Sequence, residues 1–86
     1  MNEMTQIMTW SDVVKTHPDL AGLKEQIITA RKHHLAVKGK KPSMARVWEL
    51  EFKDELNRTV TPFTPEHDAA STELRACWFN GKDEQR

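Results

Sequence analysis

Thr64, Pro65, Glu66, His67 and Asp68 leave little freedom to the last part of this chain. A hydroxyl that can cap, a proline at the first helical position and acids in the first turn all suit the positive end of a helix. Ala70, Leu74, Cys77 and Trp78 follow on one helical face, and Asn80 with Gly81 supplies a left-handed stop. The spacing therefore predicts a helix from Pro65 to about Asn80, on which the remaining segments have to pack.

Two more helices are readable upstream. Thr9 is placed to cap, and Asp12, three residues on, is placed to reach back to it. Pro18 ends that helix and starts the next, with Asp19 beside it in the first turn. Leu20, Leu23, Ile27, Ala30 and His34 then step by three and four along one face. Arg31, Lys32, His33 and His34 crowd the last turn, where cations suit the negative end of the helix dipole. Leu35 to Pro42 reads as a loop by its glycine, proline and lysines.

The stretch from Ser43 to Thr61 carries two patterns. Trp48, Leu50 and Phe52 alternate with Glu49, Glu51 and Lys53 as a half-buried strand would, with Thr59 to Thr61 as its partner. Met44, Trp48, Phe52 and Leu56 instead step by four, Ser43 can cap, and Glu49 with Lys53 and Asp54 with Arg58 form i,i+4 pairs. A hairpin would have to turn through KDELNR, which has no glycine and no Asn-Gly or Asp-Gly signal. The expectation is a helix from about Ser43 to Arg58. The fold expected is mainly α, a small four-helix single domain over 1–86 with 1–8 and 82–86 frayed, its core built around Trp10, Trp48 and Trp78. The alternative is an α+β arrangement with a β-hairpin at about 45–62 between N- and C-terminal helices.

With 86 residues the chain can build one small core. Its formal charge is zero, but the charges are segregated. Residues 26–48 hold Arg31, Lys32, Lys38, Lys40, Lys41 and Arg46 with no acid, whereas 1–25 net −2 and 49–86 net −4. Such an island meets either an anionic partner or the protein's own acidic flanks. The N-terminus lacks the basic start and apolar run of a secretory signal, and no stretch approaches the length of a membrane span. A single cysteine suits a reducing compartment. The expectation is a soluble, cytoplasmic protein without membrane contact.

No catalytic constellation is legible. His33 and His34 point about 100° apart on a helix and neither has an i+4 partner, so no metal is expected there. Cys77 falls on an apolar face and reads as buried filler. Glu49, Glu51, Asp54 and Glu55 read as a solvated face. The phosphate-cradling glycine patterns and HExxH are absent. The chain is expected to be non-enzymatic, without cofactor, and to bind nucleic acid or an acidic macromolecular surface through Arg31, Lys32, His33, Lys38, Lys40, Lys41 and Arg46. Specific base reading is not expected, since the loop is longer than the turn of a DNA-reading helix-turn-helix, and the lack of aromatic residues in the island weighs against stacking on single strands or RNA. The alternative is a protein-binding inhibitor or adaptor, of the type found among phage and plasmid accessory proteins, that uses an acidic or aromatic face.

Overall fold

The computed structural model describes residues 8–36 and 44–83. They form four helices and, among the described residues, no strand. The hairpin alternative at 45–62 is thereby excluded. Helix α1 spans Trp10–Thr16 and α2 spans Asp19–Ala36. Helix α3 covers 44–59 and has three parts: α-helical Met44–Val47, π-helical Trp48–Phe52 and α-helical Lys53–Thr59. Helix α4 spans Pro65–Asn80. None of these is long and apolar enough to cross a membrane.

The local signals at helix ends act as the sequence suggests. Thr9 and Asp12 form a reciprocal capping box at α1. Thr64 accepts from the His67 backbone N–H at the start of α4, and Gly81 closes that helix at φ 74. The four residues expected on the apolar face of α4, Ala70, Leu74, Cys77 and Trp78, are all buried. On α2 the buried set is Leu20, Leu23, Ile27 and Ile28, with Ala30 and His34 half-buried at its edge.

The relative directions of the helices follow from side-chain pairs. His17 meets Glu66, Lys24 meets Glu73, and Arg31 meets Trp78, so residues at nearly constant offset face each other and α2 runs parallel to α4. Asn57 meets His67 while Met44 meets Trp78, so α3 runs antiparallel to α4. Helix α4 is thus central, with α1, α2 and α3 laid on it. One pole gathers the N-termini of α2 and α4; the opposite pole gathers their C-termini and the start of α3.

The π-helical segment is the part of α3 that periodicity does not announce. Trp48, Phe52, Leu56 and Val60 are buried at intervals of four. Four residues of α-helix overshoot a full turn by about 40°, so a strict four-residue stripe drifts off the core. A π turn, closed here by the Lys53 N–H on the Trp48 carbonyl, holds more residues per turn and cancels part of the drift. Phe52 then packs on Trp78 at 5.1 Å between ring centroids, and the extra residue is accommodated on the outside, where Leu50 is 65% exposed.

Candidate anion-binding pole

Trp78 organises the pole where the basic segment begins and ends. Its side chain is fully buried. Its carbonyl lies in the last turn of α4, where no intrahelical N–H remains to satisfy it, and it accepts from Arg31 Nε at 2.9 Å. Its indole N–H donates to the Met44 carbonyl at 2.7 Å. His34 closes the arrangement edge-on to the indole, 5.4 Å away at 83°. One buried tryptophan therefore holds the last turns of α2 and the first turn of α3, the two stems of the segment that carries Lys38, Lys40 and Lys41.

The expected site residues are placed as follows. Arg31 is half-buried and serves the fold, its guanidinium meeting the negative end of α4 rather than only that of its own helix. Lys32 and His33 are exposed on α2, and Arg46 is exposed on α3. These three come from two helices to one end of the domain. Lys38, Lys40 and Lys41 lie outside the described residues, between Ala36 and Met44. Beside the pole an open groove of about 620 Å³ between α2 and α3 is lined by Ala30, His33, His34 and Glu51 among others.

The acids nearest to this end of α4 are neutralised within the chain. Lys24 Nζ lies 2.8 Å from Glu73 Oε2 and 2.7 Å from Asp83 Oδ2, and Lys82 Nζ lies 2.9 Å from Glu73. Burial opposes the charge on Lys24, but the hydrogen bonds to Asp83 and Glu73 outweigh it and hold its pKa above the ordinary lysine value. Burial likewise works against the Glu73 carboxylate, and Lys24 and Lys82 overcome it, so the Glu73 pKa is lowered. Ligand atoms of Glu73, Cys77 and Asp83 lie within 4.8 Å of one another, a spacing that could hold a metal, but the Lys24 ammonium already provides the cation between the two carboxylates. Burial pushes the Cys77 thiol up, which suits filler and not a nucleophile.

Two features of the surface escape sequence reading. Phe63 sits in the connector before α4 at φ 68, a left-handed conformation costly for a bulky residue, and its side chain is completely exposed. The connector is held there by Thr64, whose hydroxyl donates to the Thr61 carbonyl at 2.8 Å. The second is the Leu50 side chain on the π segment. Neither breaks a polarity pattern strongly enough to be noticed in the sequence, since single exposed apolar residues are common.

The chain matches no protein-family model, no curated protein and no solved structure.

Proposed function

We propose that this chain is a non-enzymatic binding protein that engages a polyanion, with nucleic acid the leading candidate, through the pole built on Trp78. The observation that carries the reading is the double hydrogen bonding of Trp78, which holds the end of α2 beside the start of α3, so that the exposed Lys32, His33 and Arg46 stand at the same end of the domain as both stems of the lysine-bearing segment. Cations from three stretches of sequence then act together, and each phosphate they contact releases counterions. The converging C-termini of α2 and α4 carry partial negative charge, which Arg31 offsets. The grip on an anion therefore falls to Lys32, Arg46 and the three lysines of 38–41.

The reading of the chain as non-enzymatic rests on the described side chains. His67 is directed to Asn57 at 2.7 Å and His17 to Glu66, and the only cysteine is buried with a raised pKa. The groove between α2 and α3 and the recess lined by Ala45, Arg46, Glu49 and Leu50 are both open to solvent, so neither excludes water from a reacting centre.

Titration of the protein with labelled duplex DNA, single-stranded DNA and RNA, and in parallel with polyglutamate, tests the reading. Nucleic-acid binding that collapses as salt rises supports it. Binding to polyglutamate alone would redirect it to an acidic protein surface. Absence of binding to every polyanion at low salt would refute it.

A further inference from the structure

Helices α1, α2 and α3 lie on α4, and the side of α4 turned away from them is open. Ser71, Thr72, Arg75, Ala76 and Phe79 line a groove there of about 710 Å³ that runs from Asp68 to Asn80. A second recess, with Met8 and Trp10 on its rim, continues it, and the two share Asp68 and Thr72. Ala76 and Phe79 are half-buried, so part of the groove is apolar. The Arg75 guanidinium lies over the rings of Trp48 and Phe79, 5.6 and 5.1 Å from their centroids, and among the described residues no acceptor meets it. A guanidinium stacked on aromatic faces keeps its in-plane N–H donors for a carboxylate.

We infer that residues 1–7, which lie outside the described residues, occupy this groove, with Met4 over Ala76 and Phe79 and Glu3 paired with Arg75. The direction of α1 selects this occupant. Lys24, which pairs with Glu73, lies 5.5 Å over the Trp10 ring, whereas His17 meets Glu66, so α1 runs antiparallel to α4. The line of α1, continued back past Met8, follows the groove toward Arg75 and Asn80. The length agrees: Thr72 to Asn80 covers about 12 Å of helix, and seven residues span up to about 23 Å. Glu3 is the one charged side chain in 1–7, and Arg75 is the one cation lining the groove. Asp68, the acid in the groove, stands about two turns from Arg75, at the end where Met8 enters. Met1, Met4 and Ile7 supply apolar side chains, and methionine adapts readily to an irregular surface. Because the segment is tethered at Met8, docking takes place at an effective concentration of about millimolar, which favours it over any untethered occupant. The inference is independent of the polyanion reading, and no polyanion enters its test.

The full chain labelled with ¹³C-methyl methionine reports the contact by nuclear magnetic resonance, and Met4→Leu assigns the signal. The Met4 methyl should resonate away from the position of free methionine and give cross-peaks to the Phe79 ring, equally at low and at high protein concentration. Glu3→Lys sets like charges together and should weaken those cross-peaks several-fold. Adding Arg75→Glu reverses the pair and should bring them back. Arg75 is exposed, so the circular dichroism of both variants should match the parent. A Met4 methyl at the free position with no cross-peak to Phe79 in the parent chain would overturn the inference. So would cross-peaks that grow with concentration, which put the segment of one copy on another, a contact that survives Glu3→Lys, or a folded double variant that fails to restore it.

Discussion

Deleting Leu50 separates the account of α3 from every reading that treats it as an ordinary helix. In the π segment the Lys53 N–H reaches the Trp48 carbonyl five residues back. Without Leu50 the same span closes as an α turn, and Phe52 becomes the third residue after Trp48, still on the core side. The residue removed is 65% exposed, so almost no burial is lost with it. A deletion in a regular helix rotates everything beyond it by about 100°. Deleting the exposed Gln26 from α2 would carry Ile27 and Ile28, both buried, out of line with Leu20 and Leu23. Losing two buried isoleucines costs about 4 to 10 kcal/mol. The whole stability expected of an 86-residue domain is about 4 to 13 kcal/mol. The Gln26 deletion should therefore leave little folded protein at 25 °C, whereas the Leu50 deletion should stay within about 1 kcal/mol of the parent, a melting shift of at most about 8 °C. Thermal and urea melts followed by far-ultraviolet circular dichroism measure both. A Leu50 deletion as damaging as the Gln26 deletion would refute the reasoning.

Three further outcomes follow from the same geometry. Phe63→Gly removes left-handed strain of about 1 to 2 kcal/mol, offset in part by the greater freedom of unfolded glycine, so the melting temperature should rise by about 2 to 8 °C in scans at low protein concentration. Glu73→Gln should cost about 1 to 2 kcal/mol at pH 7 through weakened hydrogen bonds from Lys24 and Lys82. The Glu73 pKa is lower in the folded chain than in the unfolded one, so this contribution is complete above the ordinary carboxylate range and fades as pH falls below about 4; parent and variant should converge in acid melts. Cys77 is buried with a raised pKa, so iodoacetamide at pH 7 should label the native chain far more slowly than the urea-unfolded chain, read by mass spectrometry.

What could be read from the sequence is what local chemistry determines. Thr64, Pro65, Gly81 and the apolar positions between them fix α4 within a single stretch, and Thr9 with Asp12 does the same for the start of α1. The helix at 44–59 was legible from its charge pairs and from the lack of a turn signal in KDELNR. Its π segment was not, because stepping by four suits an α stripe until Trp48 and Phe52 have to meet the same core. Phe63 hid for a related reason: a left-handed residue usually announces itself as glycine or asparagine, and here it is a phenylalanine. The basic island was visible as composition. The hydrogen bond of Arg31 to Trp78 spans 47 residues and depends on the parallel run of α2 and α4, which no local pattern encodes. That bond gives Arg31 a structural contact with α4 beyond the dipole of its own helix.

The central claim, that Trp78 gathers cations from separate helices into one binding pole, is tested most directly by titrating the ¹⁵N-labelled protein with a short DNA duplex at low salt and following amide shifts residue by residue. Shift changes should concentrate on Lys32, His33, Arg46 and the segment 37–43 between them, leave the pole of Phe63 and Asp19 unmoved, and vanish at about 0.3 M salt as counterions compete. Changes centred on the opposite pole, or none at any duplex concentration, would contradict it.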